Sequence, residues 1–493
     1  MIQGSLRQGI AVEDSTQLLL AGVVGVLLGL AFAYVPATYI AIAMVALFVV
    51  ILAIKSPQYA ILAFLFIHST FLSGDELPRL GVGGINIWIT DMILVGLLAL
   101  IAARLLVDHK FKIFRSPVIV PLLTFIIWVV FTTLRGYFYG GSSRWDMVIE
   151  TRIALYYLLT FCCIYLIKRE SEIKSLLRWF YLLAVVASVF VIIQFALGFQ
   201  VSFLSSGKIY EFSSTGGPVV ARVQGTVGEG LITFALVLKT ITMFIEKFRV
   251  SKIYDLLQWL VIASALVTTF NRTHWLIVFI SLLVAAFFVG RREKQRVYIW
   301  GMIVMIVVVG MSSFIVMYSP QSRAASLINA GLSRLLTLTQ LAEYTDPEVS
   351  TVVWRNFEYE YGIPQVLKNP IMGIGLGARY RPTLEHDYPG FTGELYTHNS
   401  NLWIAMKTGL PGLFLYLWFS NAYVWHALKN WKLIKDIPQR GFVLGSGIGI
   451  FIALLGANLH PFGMTLEWVP VISIIIGLGE AIIYHQYCQM DIT

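Results

Sequence analysis

The chain is 493 residues long, 58% hydrophobic and only 13% charged, with a mean hydropathy of +0.77. Soluble proteins carry about 25% charged residues, so this composition excludes a water-soluble globule and makes lipid the main solvent. The formal net charge of +9 is not a nucleic-acid signal, because no basic patch interleaved with aromatics and no nucleic-acid-binding motif accompanies it.

A helix needs about 20 mostly apolar residues, and at least about 17, to cross the hydrocarbon core. Runs that meet or approach this lie at 17–35, 38–54, 57–72, 88–103, 117–134, 151–167, 176–198, 230–246, 255–270, 274–290, 298–318, 402–425, 441–457 and 469–486. The fold class is therefore all-α: a polytopic integral membrane helical bundle of about 14 transmembrane helices, or 12 to 13 if the short third and ninth runs fail to cross. Residues 1–16 are polar with Arg7 as the strong base, and the run after them has no small-residue cleavage site. It reads as an uncleaved first span. Cys162 and Cys163 sit inside an apolar run and Cys488 near the end, a pattern of small core hydrophobes and not of a disulfide framework or metal site.

Charge gives the orientation. With the N-terminus inside and fourteen alternating spans, the cytoplasmic segments hold Arg7; Lys55; Arg104, Lys110, Lys112 and Arg115; Lys168, Arg169, Lys174 and Arg178; Lys247, Arg249 and Lys252; Arg291, Arg292, Lys294 and Arg296; and Lys429, Lys432, Lys435 and Arg440. Short loops rich in lysine and arginine mark the cytoplasmic side. Both termini then lie in the cytoplasm. The loops 73–87, 135–150, 199–229 and 319–400 lie outside, with short turns at 271–273 and 458–468. Four regions follow: helices 1–7 in residues 1–198, helices 8–11 with the outer loop 199–229 in residues 199–318, an extracytoplasmic (periplasmic) loop domain at 319–400, and the C-terminal helices in 401–493. Connections above about 15 residues usually carry function, so 319–400 is the expected working segment.

Within that loop, residues 323–343 space their leucines around a helix with Arg323 and Arg334 among small polar residues. This suits an amphipathic helix at the membrane interface and equally a packed helix in the loop. Residues 351–361 form a second helix, with Trp354, Phe357 and Tyr361 on one face and Arg355 placed to pair with Glu358. Pro370 then closes the helix, and Gly373, Gly375 and Gly377 alternate behind it. A dinucleotide loop needs flanking strand and helix in a βαβ unit, which is missing. Close approach of the backbone to a ligand or helix is the better reading. Arg379, Arg381, Glu385, His386, Asp387 and Glu394 follow, and then Thr397, His398 and Asn399. Thr397 or Asn399 can cap the next helix, which runs through a break at Gly409–Pro411. His398 then sits at a helix N-terminus, where the dipole favours a bound anion and a neutral imidazole, a candidate general base.

The order of these features resembles the bacterial O-antigen ligase and O-antigen polymerase superfamily, over about residues 220–425. Four stretches carry the resemblance: Ala221-Arg222 with Gly225 before the eighth span; Asn271-Arg272 to Trp275 in a tight outer turn; Trp354-Arg355 with Pro370 and the alternating glycines; and Thr397 to Ser400 with Gly409 and Gly412. The resemblance implies a glycosyltransferase of the inner (cytoplasmic) membrane, with its active site facing the periplasm. It passes a glycan from an undecaprenyl-diphosphate-linked donor to a glycan or lipid A–core acceptor, with no metal and no other cofactor. By position it makes Arg222 and Arg272 a diphosphate clamp, Arg355 a third site arginine, His398 the base, and Arg379, Arg381, Asn399 and Glu394 candidate acceptor or loop contacts. His274 departs from the family pattern and reads as a helix cap, with a second functional imidazole as the alternative. A chain-length regulator protein is an expected partner of the polymerase version.

Arginine suits this task because its planar fork binds two phosphate oxygens at once and stays charged. Near span ends the charge is costly to place, which makes such arginines functional candidates, although side chains there also snorkel to headgroups. Fourteen spans incline the reading to polymerase, with ligase close behind. A multispan transporter or lipid-linked oligosaccharide flippase is the rival, and a structural or sensory membrane protein a third possibility.

Overall fold

The computed structural model describes residues 51, 54–68, 79–82, 85–107, 116–139, 143–197, 207–212, 220–225, 228–246, 253–336, 351–383 and 393–490. The predicted span 17–35 and nearly all of 38–54 lie outside the described residues, as do Glu385, His386 and Asp387.

In lipid each backbone polar group needs an internal partner, and the long apolar runs accordingly form helices. In chain order these are α1 (Pro57–Phe66), α2 (Ile89–Val107), α3 (Ile119–Tyr139), α4 (Arg144–Leu155), α5 (Leu158–Leu166), α6 (Glu170–Leu197), α7 (Glu229–Ile245), α8 (Ile253–Thr268), α9 (Arg272–Phe288), α10 (Arg291–Tyr318), α11 (Arg323–Leu336), α12 (Thr351–Lys368), α13 (Ser400–Asn430), α14 (Ile437–Gly456) and α15 (Val469–Met490). Helix stands at each predicted span that the described residues reach. Among them, 7 helical segments are long and apolar enough to cross a membrane: α2, α3, α4–α5 together, α6, α13, α14 and α15. This makes the chain an all-α membrane protein, and it does not support a count of fourteen spans.

Two predicted outer loops hold hairpins that the all-helical expectation missed. Strands β1 (Arg79–Val82) and β2 (Ile85–Trp88) pair antiparallel, with Arg79 opposite Trp88. Strands β3 (Gly207–Phe212) and β4 (Val220–Gly225) do the same, with Tyr210 opposite Arg222. A hairpin satisfies backbone groups locally where the chain leaves its spans. The predicted loop 135–150 is mostly helix, since α3 runs to Tyr139 and α4 starts at Arg144.

The core is built on α14, which packs on α7, α9 and α13. Gly441, Gly445 and Gly449 recur every four residues, so they share one face of α14. A methyl group on them would lie 2.6 Å from Thr242 Cα, 3.1 Å from the Leu238 side chain and 3.1 Å from Phe234 on α7. Small residues at this spacing let membrane helices approach closely. Helix α13 bends at Gly409 (φ 76°) just ahead of Pro411, as the predicted break required. Helix α12 packs against α13, which brings the loop domain onto one end of the bundle.

Candidate functional site

The alternating glycines seat this loop on the bundle. Gly373, Gly375 and Gly377 have φ of 64°, 90° and 76°, a region that L side chains rarely adopt. A Cβ would lie 2.5 Å from the Lys407 carbonyl at Gly373, 2.7 Å from Gly136 Cα at Gly375 and 2.5 Å from Met147 N at Gly377. The close approach is therefore to α13, α3 and α4. The Ile374 and Gly375 amides donate to the Met406 and Lys407 carbonyls at 2.8 and 3.0 Å, and Arg135 donates to Gly373 O at 3.1 Å. Below the turn, fully buried Lys407 pairs with Glu150 at 2.9 Å and donates to Ala378 O, while the other Glu150 oxygen accepts the Gly377 amide. The buried ammonium and carboxylate compensate each other and tie turn, α4 and α13 together.

His398 lies immediately before the α13 N-cap. Asn399 is that cap, accepting the Leu402 amide at 2.9 Å. Thr397 does not cap, and instead donates to Glu358 at 3.0 Å. Glu358 is 2% exposed. Its Oε1 is 2.7 Å from His398 Nδ1, and its Oε2 accepts the His398 amide at 2.9 Å. A carboxylate only accepts, so Nδ1 is the donor to Glu358 and Nε2 is the ring nitrogen on the far side from it. The predicted Arg355–Glu358 pair does not form. Arg355 instead donates through Nη2 to Leu459 O at 2.9 Å, in the turn between α14 and α15, and its buried Nε has no hydrogen bond. Ser400 fastens the same turn, with its amide on Ala457 O at 2.8 Å and its hydroxyl on His460 O at 3.3 Å.

Tyr396 connects this pair to a second group of titratable side chains. Its ring meets His398 edge-on at 5.2 Å. Its hydroxyl is held far above the ordinary value by burial and then by the carboxylates of Glu358, Glu467 and Glu229, with Arg355 opposing. Glu229 opens α7 and is 3.8 Å from His274 Nε2. The His274 ring is 5.0 Å from that of His460. Among the described residues, the donor atoms of Glu229, His274 and His460 lie within 4.8 Å of one another, a set able to hold a metal ion. His274 is not the predicted cap. Asn271 takes that place, accepting the Thr273 amide, and His274 is fully buried behind it.

The other predicted residues are distributed unevenly. Arg272 is the half-buried first residue of α9, in the same turn as His274. Arg222 lies on β4 opposite Tyr210 and not at a span end, since α7 starts only at Glu229. Arg379 is exposed and 3.6 Å from Glu394, which also accepts from Thr383. Arg381 is 5% exposed and donates to Pro382 O at 3.0 Å. Asn399 also donates to the Tyr359 hydroxyl at 3.4 Å. Sequence reasoning missed Glu229, Tyr396, His460 and Glu467. The available signals were an acid opening an apolar run and a His-Pro-Phe step inside a short interhelical turn.

The fold and this gathering of arginine, imidazole and carboxylate at helix N-termini define a multi-pass membrane protein with a polar site at one end of its bundle. Residues 258–417 match the family model described as O-Antigen ligase, which supports a relation to the O-antigen ligase and polymerase superfamily. The match runs from α8 into α13. It contains Arg272, Arg355, Glu358 and His398, and leaves Arg222, Glu229 and His460 outside. It supports glycosyltransferase activity of the O-antigen ligase/polymerase type, in a multi-pass protein of the inner membrane. No curated protein matches the chain.

Proposed function

We propose that this protein transfers a glycan from an undecaprenyl-diphosphate-linked donor to an acceptor hydroxyl at the periplasmic face of the inner membrane, with inversion at the anomeric carbon. The His398–Glu358 pair carries this reading. It lies inside the matched region, at a helix N-terminus and beside Arg355.

In the reaction, His398 Nε2 takes the acceptor proton as the acceptor oxygen bonds to the anomeric carbon. The bond from that carbon to the diphosphate breaks, and the electron pair leaves with undecaprenyl diphosphate. Charge grows on the departing phosphate oxygens, and preorganised guanidinium groups stabilise it. Arg272 is assigned there with Arg222, and Arg355 borders the same space. The donor carries its own leaving group, so the step needs no nucleotide. Arg379, Arg381, Glu394 and Asn399 belong to the loop wall over the acceptor side. The four-region division at 198, 318 and 400 goes with this reading, with 319–400 as the acceptor-facing unit.

Orientation is supported by the placement of basic residues. Helices α7, α9, α13 and α15 all begin at the site end. Arg291, Arg292, Lys294 and Arg296 follow the far end of α9, and Lys429, Lys432, Lys435 and Arg440 surround the far end of α13. By the positive-inside rule that far end is cytoplasmic, which supports a site facing the periplasm. Lipid-linked repeats as acceptor make the protein a polymerase, aided by a chain-length regulator; a lipid A–core acceptor makes it a ligase.

The test is reconstitution of the full chain in liposomes with lipid-diphosphate-linked glycan and each acceptor. Transfer with an inverted linkage, assigned by NMR of the product, is expected. Donor that is only moved across the bilayer, with no new glycosidic bond, would overturn the assignment.

A further inference from the structure

The Glu229, His274 and His460 group is not used in the transfer step, and its chemistry is specific. It combines two imidazoles with one carboxylate, drawn from three separate elements: the first residue of α7, the first turn of α9 and the α14–α15 turn. Imidazole with carboxylate is a donor set that suits divalent transition ions, zinc foremost, and suits calcium or magnesium poorly. The donors are held in place. His460 stacks on Phe462 at 4.4 Å and 20°, and its backbone is fastened by Ser400. His274 is fully buried with Trp468 at 5.1 Å, and Glu229 is 8% exposed.

We propose that Glu229, His274 and His460 form a binding site for a zinc-class divalent ion that braces the α14–α15 turn against α7 and α9. Metal–ligand distances of about 2.0–2.2 Å fit the 3.8 Å between His274 Nε2 and Glu229. The three donors lie within 4.8 Å of one another, close enough to share one ion. The Asn271 amide nitrogen lies 3.3 Å from the same His274 nitrogen, so the ion takes over that contact, while Asn271 keeps its cap through Oδ1. Charge favours occupancy. Glu229, Glu467 and Glu358 all act on the one Tyr396 hydroxyl, and a divalent cation offsets acidic groups gathered in one place. Three protein ligands leave a fourth coordination position for water. The turn that carries His460 is the one that Arg355 grips, so the ion fixes the frame of the site without entering the reaction. The proposal stands on these three residues and does not depend on the glycosyltransferase reading.

The test is Co2+ titration of the purified, chelator-stripped full chain, followed by visible absorption and by competition with Zn2+. One saturable equivalent with ligand-field bands, displaced by Zn2+, is expected. Loss of a supporting contact around a metal typically costs about 10–100-fold in affinity, so loss of a ligand in His460→Gln or Glu229→Gln should weaken binding by at least about 100-fold. His460 is half-buried, so this variant keeps the test open if His274→Gln does not fold. His398→Gln should bind Co2+ like the parent. Absence of a saturable equivalent, binding unchanged in His460→Gln and Glu229→Gln, or binding lost in His398→Gln would each overturn the site.

Discussion

Glu358 holds His398 at two points, with one carboxylate oxygen 2.7 Å from ring Nδ1 and the other accepting the His398 backbone amide at 2.9 Å. Ring and backbone are thus fixed together, and Nε2 is the nitrogen proposed to take the acceptor proton. Glu358→Gln can still reach the ring but no longer demands a donor at Nδ1. Transfer by Glu358→Gln should fall at least about 10-fold, and by less than the roughly 10²–10⁴-fold that a general base contributes. Initial rates with saturating donor and acceptor check this, alongside His398→Ala. Equal rates for Glu358→Gln and the parent would contradict the tautomer argument.

The Lys407–Glu150 pair is fully buried on the Lys407 side. Removing one partner of such a pair strands the other charge, at a cost of about 3–5 kcal/mol. Lys407→Met should therefore unfold at markedly lower temperature in detergent. The double variant Lys407→Met with Glu150→Leu should recover part of the loss, because no charge is stranded. Thermal unfolding followed by size-exclusion chromatography reads both.

Gly409 has φ 76°, and a Cβ there would lie 2.0 Å from Ile371 O. The Gly409 ψ of 174° puts it in a region open essentially to glycine alone, which costs another residue about 1–3 kcal/mol before any relief of that clash. Gly409→Ala should reduce the yield of folded protein and undo the contact between the glycine turn and α13. Gly331 on α11 has nothing within 4 Å of an added Cβ. Gly331→Ala should be neutral or stabilising by up to about 1 kcal/mol, and heat stability of the two variants side by side tests the contrast.

Glu467, in the α14–α15 turn, has its carboxyl raised from 4.5 by burial, with its own backbone amide and the Thr465 hydroxyl opposing. A raised folded-state value means the native protein prefers the protonated acid. Its contribution to stability is complete below the unfolded value and is lost as pH rises through the folded value. Glu467→Gln removes that loss. The variant should match the parent near pH 4 and exceed it above the folded value, as melting curves across pH 4–8 would show.

Much of this was legible in the sequence. Long apolar runs located the helices, because lipid leaves the backbone no other partner. Gly409–Pro411 marked the bend, and Asn399 the cap, since each has a local physical signature. The first half of α4 falls in the predicted loop 135–150 because Asp146 and Glu150 look solvent-bound in one dimension; only the fold brings Lys407 to Glu150. Glu358 was matched with Arg355 by spacing along one helix, whereas its partner is 40 residues away in sequence. Glu229, His274 and His460 come together from three elements, and no local pattern announces such a convergence. Arg222 followed from a motif, and its strand from no motif at all.

The central claim is that Arg272 and His398 serve one transfer reaction from opposite sides of the breaking bond. Its most direct test is the transfer rate of Arg272→Ala, Arg272→Lys and His398→Ala proteins, purified at equal folded yield and assayed in liposomes with lipid-diphosphate-linked donor. Losses of about 10²–10³-fold for Arg272→Ala, little rescue by Arg272→Lys and a comparable or greater loss for His398→Ala are predicted. Transfer at parental rate in Arg272→Ala and His398→Ala would contradict it.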